Sequence, residues 1–552
     1  MSIVTRTKKA FSSWDDFKNA NSHMDPTPKE ERTWKWYNFG GVWFSYAWSP
    51  GVWALGSSMI KAGLTPAQAV VCIFLAHLFG AVMIVFNSRF GAVYHMGFPV
   101  YARISFGMWG SFFAVLLRCA LGILWVGVLT YQGGWYTNIM LRATFGHKWM
   151  DIENTLPASS GTNSRLVLSA MIFWIITVPA TYLPMHKTRH FWTVKAFVLP
   201  PCVMGLFIYT QVLKGSDASD GQMFPNMKRV HGAELSWTML AMINSAMGKT
   251  SSLQANQPDI ARYAYNRSAP AWSQLIILPT FNTAVLGIFA TSSVYKHWGV
   301  AYWNSFDLLH AVLDHNWNAG ARCGVFLCAL GWALSCFVSN IAANVLPFGA
   351  DISALFPRYL SINRGQLFAY CLGIAMVPWK ILASADSFLA FLGAYSVFFG
   401  PLAGISAVDY FYSRRGNVDV LACYNGDRNA LYMYNYGFSW RAFFAYICGL
   451  APTLPGLAAA LGNTVPVGAT NLFKFGWLFS ICTSSLVYFV ITFFFPHRNM
   501  VEPRKDRFEK WADDQVALLD REVDPADKAG CSTPSDEKDL EATADVLPVK
   551  MA

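Results

Sequence analysis

Two stretches of the sequence place aromatic and charged side chains among apolar residues, where water cannot solvate them. In the first, Trp125 lies close to Gly127, so its indole ring can form a flat wall. Such a wall suits a planar heterocycle that stacks on it, although packing alone is the structural alternative. In the second, Lys249 and Thr250 follow Gly248. A charge in an apolar surrounding is costly and marks a functional site by default, with an internal salt bridge as the alternative.

A polar stripe runs along a third apolar stretch, which ends near Asp351. Its members recur at or near helical spacing and would share one helix face: Ser335, Ser339, Asn340 and Asn344. Asparagine amides both donate and accept hydrogen bonds, so they can read the edge of a heterocycle. Small side chains also let helices pack closely, and the spacing does not choose between binding and packing. We predict that Asp351 pairs with Lys195, at the start of another apolar stretch, as an inner gate.

The composition indicates what kind of molecule must position these side chains. Of 552 residues, 54% are hydrophobic and only 13% are charged, with a net charge of +10. A soluble protein of this size could not cover its surface with so few charges, which excludes a soluble enzyme, a disordered chain and a nucleic-acid binder. The 11 cysteines are scattered without CxxC spacing, so neither a disulfide framework nor a zinc site is expected. No catalytic motif is visible, and we predict neither an enzyme nor a cofactor.

About twelve segments are apolar and long enough to cross a bilayer as helices, for which roughly 20 residues are needed. They lie near residues 40–60, 68–86, 108–131, 166–183, 192–212, 235–255, 272–294, 320–347, 367–382, 388–411, 442–461 and 475–495. Loops rich in arginine, with Arg89, Arg103 and Arg414 among them, alternate with loops of mixed or little charge. Because cytoplasmic loops are enriched in basic residues, we predict that the first set and both termini are cytoplasmic.

Three regions follow from this pattern: a cytoplasmic tail at residues 1–35, a domain of twelve helices at 36–496 and a second tail at 497–552. The second tail is charged and lacks apolar periodicity, so we predict that it is disordered and cytoplasmic. The expected partners are the lipid bilayer, a small-molecule substrate and, on the tails, trafficking or ubiquitylation machinery.

Two of the predicted spans contain helix-breaking residues near their middle. Span one contains Ser49-Pro50-Gly51, where the proline removes a backbone donor and Gly51 loosens the chain. Span six contains Met247-Gly248-Lys249 within a run of small and polar residues. Broken helices at matching places in two halves indicate a substrate chamber between inverted repeats, as in secondary transporters. The alternatives are a simple kink at Pro50 and a packing glycine at Gly248.

Several motifs resemble those of one known family. They are Trp36-Tyr37-Asn38-Phe39-Gly40, Asn256-Gln257-Pro258-Asp259-Ile260-Ala261-Arg262-Tyr263 and the stretches 125–134 and 340–357. Over residues 33–496 the chain resembles the nucleobase–cation symporter family, in particular its fungal uracil, allantoin and uridine permease branch. The resemblance implies an all-α, leucine-transporter-type fold of 5+5 inverted repeats, with broken helices one and six and two further helices. It also implies a protein of the plasma membrane that imports a nucleobase-like ring with protons.

The resemblance also implies roles for single residues in substrate binding. Trp125 would stack on the ring, and Asn344 would hydrogen-bond its edge. Lys249 and Thr250 would present the opposite wall from the broken sixth helix. The break at Ser49-Pro50-Gly51 would supply backbone groups.

For the coupling ion, the resemblance points to the space between the first break and span eight. In sodium-coupled relatives a cation lies there, and Ser335 and Ser339 match two of its ligand positions. Val338 stands where another hydroxyl would help, which weakens a sodium site and is compatible with proton coupling. Lys249 and Asp351 are the candidates for a coupling role, and the sequence does not select between them.

One residue departs from the family pattern. Four residues after Trp125, many members have a glutamine that binds the substrate, whereas this chain has Leu129. A site without a partner for a buried substrate amide discriminates against that substrate. Besides uracil and allantoin, the sequence therefore leaves open a nucleoside or vitamin such as uridine, thiamine or nicotinamide riboside. A channel, a membrane enzyme and a non-transporting sensor are the alternatives of other classes.

Overall fold

The computed structural model describes residues 26–182, 188–213, 229–356 and 359–523, and helices make up nearly all of their regular structure. Within these ranges, nine helical segments are long and apolar enough to cross a membrane. In the same part of the chain, β-structure is limited to two isolated bridges. The predicted class of an all-α polytopic membrane protein is confirmed.

The helices match the twelve predicted spans in order. Spans one to six comprise Trp36–Ala47 with Pro50–Lys61, Pro66–Tyr94, Gly110–Phe145, Ser164–Thr177, Thr188–Val212 and Gly232–Asn256. Spans seven to twelve comprise Trp272–Thr280 with Thr283–Trp298, Ala319–Asn340 with Leu346–Leu355, Ile362–Ala375, Ala385–Val408, Trp440–Leu450 with Leu454–Ala460, and Gly476–Phe494. The nine long apolar helices do not include span one, which is split, span six, which is rich in polar residues, or span nine, which has 14 residues.

Span one is interrupted where its proline predicts. The first half ends at Ala47 and the second begins at Pro50, whose missing N–H leaves no donor unpaired at a helix start. Backbone oxygens at the break find donors on other spans. Thr283 Oγ1 donates to Ala47 O at 3.0 Å. Ser335 Oγ donates to Trp48 O at 3.3 Å.

Span six is continuous, so the predicted break at Met247-Gly248-Lys249 is wrong. One α-helix runs from Gly232 to Asn256. The stretch contains a glycine but no proline, so every backbone donor is present and the helix is only weakened. Gly248 instead allows span ten to approach closely, because a Cβ atom there would overlap the carbonyl oxygen of Leu392. The packing alternative is the correct one at this position.

The second interruption lies in span seven. Its first helix contains Pro279 and ends at Thr280, and its second begins at Thr283. The side chain of Asn282 caps the second helix by accepting a hydrogen bond from Ala284 N at 3.2 Å. Because Thr283 also donates to the break in span one, the two interruptions lie side by side.

The segment after span twelve is folded, so the predicted disorder of residues 497–552 is wrong for 498–523. Two helices, Arg498–Lys505 and Ala512–Val523, follow span twelve. Between them, the buried Glu509 accepts hydrogen bonds from Arg89 at 2.7 and 2.6 Å and from Tyr410 at 2.9 Å. Ion pairs, rather than an apolar helix face, anchor this segment. For this reason the sequence shows no apolar periodicity there. Residues 1–25 and 524–552, on which most of the predicted trafficking contacts fall, lie outside the described residues.

Candidate functional site

Spans one, three, six and eight enclose a cavity of about 60 Å³. This volume is large enough for a few water molecules. The predicted residues that line it are Ser49, Trp125, Leu129, Lys249, Ser339, Asn344 and Asp351. Five predicted residues do not line it, namely Gly51, Thr250, Asn340, Ser335 and Lys195.

One face of span three forms a wall of the cavity. Arg118, Gly122, Trp125 and Leu129 line it at intervals of about one helical turn. Aromatic rings of span ten cover one side of the indole, with ring centroids 5.7 Å away at Phe391 and 6.3 Å away at Tyr395. Trp125 is therefore buried between helices, and the free part of its face points into the cavity.

Lys249 reaches into the cavity from span six. Its Nζ lies 3.9 Å from the centroid of the Trp125 ring, a distance that permits a cation–π contact. The hydroxyl of Tyr46, on span one, donates to the backbone oxygen of Lys249 at 2.5 Å. The lysine therefore occupies the indole face on which a planar ring would stack.

The helical course of span six explains why Thr250 does not face the cavity. Lys249, Ser252, Leu253 and Asn256 line it at helical spacing. Thr250 lies about 100° further around the helix and donates to Met247 O at 3.2 Å. The structure therefore does not bring Thr250 to the cavity, and its hydroxyl is bonded within its own helix.

The break in span one contributes less than predicted. Ser49 lines the cavity, and its buried hydroxyl oxygen has no hydrogen-bond partner among the described residues. Gly51 does not line it, but its α-carbon faces Lys249, since a Cβ atom there would lie 3.4 Å from the lysine Nζ. Gly51 thus makes room for the lysine rather than contacting the cavity.

The two asparagines of span eight have different surroundings. Asn344 lies in the π-helical turn Ile341–Val345, faces the cavity, and its Nδ2 is 3.5 Å from Asn340 Oδ1. Asn340 Nδ2 donates to Val126 O at 3.2 Å and to Thr130 Oγ1 at 3.1 Å. Asn340 therefore ties span eight to span three, and only Asn344 is available to a ligand.

An ion-pair network lies at one end of the cavity, and it replaces the predicted Lys195–Asp351 gate. Arg118 pairs with Asp351, at the end of span eight, and with Asp259, just after span six. Arg118 and Asp351 are buried, whereas the Asp259 side chain is 32% exposed. The second carboxylate oxygen of Asp259 accepts a hydrogen bond from Phe98 N at 2.7 Å. The Arg118–Asp259 pair therefore joins span three to the end of span six.

No role was predicted for Arg118, although the sequence carries a signal for it. It is a charged residue inside an apolar span, which marks a functional site by default. It also precedes Trp125 by two helical turns and so shares its helix face. Lys195, the predicted partner of Asp351, donates instead to Ser339 Oγ at 2.9 Å.

Aromatic side chains pack together on span three beyond the opposite end of the cavity. Trp135 of span three stacks on Phe306, with ring centroids 5.0 Å apart. Phe306 and His310 share the short helix Ser305–His315, and His310 Nδ1 accepts a hydrogen bond from Arg142 at 2.5 Å. Burial and the Arg142 charge lower the pKa of His310 to about 3, so the imidazole stays neutral and keeps its acceptor nitrogen. Along span three the cavity is lined from Leu129 to Arg118 and does not reach Trp135.

Comparisons with known proteins agree with this geometry. Residues 26–479 match the family described as permeases for cytosine/purines, uracil, thiamine and allantoin. The allantoin permease of Saccharomyces cerevisiae is 34% identical over 89% of this chain and 79% of its own length. The uridine permease of the same yeast is 31% identical over 90% of this chain and 78% of its own length. An inward-facing structure of the transporter Mhp1 superposes with a TM-score of 0.67 at 20% identity, covering 88% of this chain and 97% of Mhp1.

Proposed function

The chain belongs to the family of permeases for cytosine/purines, uracil, thiamine and allantoin, and we propose that it imports a nucleobase-like heterocycle together with a proton. The observation that carries the proposal is the cavity in which the Trp125 face, the Asn344 amide and the Lys249 amine meet. Aromatic stacking with a few placed polar groups is what a small planar ring requires. A permease of this kind works by alternating access rather than by catalysis.

In the proposed pose the ring replaces the lysine on the indole. The Lys249 amine lies 3.9 Å from the Trp125 centroid, so the two cannot share that face. A substrate carbonyl gives the displaced amine a charge-assisted hydrogen bond, which offsets the lost cation–π contact. Asn344 then donates to and accepts from the ring edge. This exchange favours rings with carbonyl groups, such as uracil or allantoin.

A nucleoside such as uridine is the second candidate substrate. The residue four positions after Trp125 is Leu129, which lines the cavity and offers no hydrogen bond. An apolar side chain there leaves a ring amide without a partner and favours a ligand that makes its polar contacts elsewhere. The similarity to a yeast uridine permease supports the same alternative.

Proton coupling is supported by the titratable groups along the cavity. Asp351, Arg118 and Lys249 line it, and Asp259 pairs with Arg118 at its end. A proton on Asp351 would neutralise one of the two carboxylates that share Arg118. Coupling follows because the proton then changes the relative stability of the open and closed states at this end.

The proposed location is the plasma membrane, with both termini in the cytoplasm. Asp259, which pairs with Arg118 at the end of the cavity, lies in the loop after span six that also carries Arg262 and Arg267, and this supports a cavity directed inward. Substrate would enter from the aromatic end near Trp135 and leave past the Arg118–Asp259 pair.

Uptake in a yeast strain that lacks its own permeases tests the proposal. Labelled uracil, allantoin and uridine are supplied at two external pH values, each with a panel of unlabelled purines, pyrimidines and thiamine. We expect saturable uptake of one of them that increases at the lower pH. No saturable uptake of any compound in the panel would contradict the proposal.

A matched pair of tryptophan variants makes the test specific to the cavity. Trp125→Ala should abolish uptake while the protein still reaches the cell surface, since the stacking face is lost. Trp272→Ala is the control, because that side chain is 72% exposed and lies on the outside of span seven. Normal uptake by Trp125→Ala at equal surface level would remove this substrate site.

A further inference from the structure

Arginines from three other segments of the chain meet at the end of span twelve, and none of them lines the substrate cavity. Arg441, at the start of span eleven, donates through Nε to Phe495 O at 2.6 Å. Arg504, in the helix after span twelve, donates to Thr492 O at 3.2 Å, and its own carbonyl oxygen accepts from Arg415 at 3.4 Å. With the residue that begins the helix after span twelve, they form the arginine cluster, which comprises Arg415, Arg441, Arg498 and Arg504.

Within the described ranges, the charges of the arginine cluster are not neutralised by carboxylates. None of its members is part of an ion pair there. The acidic side chains on either side of Arg504 in the sequence, Glu502 and Asp506, pair with lysines instead. A guanidinium has five N–H donors, and each one in the cluster donates a single hydrogen bond to the described part of the chain.

The members of the cluster differ in exposure. Arg441 is buried and Arg504 half-buried, and their guanidinium groups lie over aromatic rings with centroids 5.0 and 4.7 Å away. Arg415 and Arg498 are exposed. The first two therefore contribute fixed positive charge, and the second two offer donors that a ligand outside the protein can reach.

Exposed apolar side chains place the arginine cluster at the level of the membrane surface. Phe493, Phe494 and Phe495, in the last turn of span twelve, are each more than half exposed. So is Phe444 on the neighbouring span eleven. Rings exposed on the outside of a membrane span face lipid, and Arg498 follows only three residues after the last of them. The arginines thus lie where hydrocarbon gives way to headgroups.

We propose that the arginine cluster binds the headgroup of an anionic phospholipid in the cytoplasmic leaflet. Guanidinium groups bind phosphate oxygens through paired, charge-assisted hydrogen bonds. Anionic lipids are enriched in that leaflet and attract basic residues next to a span. The acyl chains would lie along the exposed rings of span twelve. The bound lipid would join the loop after span ten to the segment after span twelve. The choice of leaflet rests on the orientation proposed above.

Thermal unfolding of the full-length purified protein in mixed micelles tests the proposal. The micelles contain phosphatidylserine or phosphatidylcholine, and a third sample receives inorganic phosphate with phosphatidylcholine. We expect phosphatidylserine alone to raise the Tm, by about 2–4 °C, as a ligand of the folded state does. The double variant Arg415→Gln/Arg498→Gln should need about tenfold more phosphatidylserine for the same rise, because two basic contacts are lost.

The control is Lys148→Gln/Lys296→Gln, which removes the same charge from two exposed positions after spans three and seven and should respond like the unchanged protein. An equal phosphatidylserine response in the arginine double variant would overturn the proposal, provided that its Tm in phosphatidylcholine is unchanged. An equal rise with inorganic phosphate would also overturn it, since the site would then bind a free anion. Micelles have no sides and no substrate is supplied, so failure of the transport or orientation proposal leaves the result interpretable.

Discussion

Spans one and six meet the cavity from different sides, and the contrast between them lies in their backbones. Span one is broken at Pro50, and span six runs as one helix through Gly248. Proline removes a donor and fixes the backbone, so the chain must open. Glycine only lacks a side chain, and at Gly248 the carbonyl group of Leu392 on span ten occupies the space that a side chain would fill.

The same contrast decides what each span offers to a ligand. The break in span one frees backbone oxygens, but Thr283 and Ser335 already donate to two of them. Span six keeps its backbone bonded internally and reaches the cavity through a side chain, Lys249. Substrate binding is therefore expected to depend more on Lys249 of the continuous helix than on the backbone groups at the break in span one.

The largest effect is expected from filling the space at Gly248. In Gly248→Val the side chain would overlap the Leu392 carbonyl, which should destabilise the protein by about 3 kcal/mol. Gly205→Val on span five is the control, because a Cβ atom there meets nothing within 4 Å. The Tm of the purified protein and the amount at the cell surface measure the difference. Equal values for the two variants would mean that Gly248 is not a packing residue.

The next effect separates side chain from backbone at the cavity. Lys249→Met should lower uptake about 10- to 100-fold, because it removes a charged hydrogen-bond donor from the site. Ser49→Ala should change uptake by less than about threefold, since its hydroxyl has no partner among the described residues. Initial uptake rates of the two variants, measured at equal amounts of protein at the cell surface, test this difference. A larger loss in Ser49→Ala would reverse the contrast between the spans.

A smaller effect is expected from the residue that supports the break in span one. Thr283→Val removes the hydroxyl that donates to Ala47 O and Ser49 O, which should lower stability by about 1–2 kcal/mol. Thr283→Ser keeps the donor and should unfold near the Tm of the unchanged protein. If the serine and valine variants unfold at the same temperature, the break does not depend on this hydrogen bond.

The smallest effect concerns specificity rather than rate. Leu129→Gln places an amide one turn from Trp125, on the face that lines the cavity. We expect a severalfold shift in competition toward uracil or allantoin and away from uridine, because one substrate amide gains a partner. An unchanged competition profile would count against the assignment of this helix face.

Prediction from sequence succeeded where a residue acts through its own chemistry. Pro50 predicted the break in span one, and the indole of Trp125, predicted as a flat wall, lines the cavity. It failed where the partner is remote in sequence, as for Gly248, whose neighbour is Leu392. The same holds for the predicted gate, since nothing local shows that Asp351 faces Arg118 rather than Lys195.

The break in span seven shows a second kind of limit. Pro279 lies within the last turn of the first helix, and Asn282 caps the second helix only three residues later. The polar residues at 280, 282 and 283 are consistent with an interruption of the helix. In a long apolar span, however, the same residues are equally consistent with a continuous helix. The hydrogen bonds of Thr283 to the break in span one join the two interruptions, and these partners are remote in sequence.

The seating of Glu509 against Arg89 and Tyr410 has a practical consequence for anyone who follows this protein in living cells. A fluorescent protein that replaces the chain after Pro496 would remove Glu509 and leave Arg89 of span two without its carboxylate partner. A label joined at or after Val523 leaves the Glu509 contacts in place, so that the labelled protein keeps this anchor.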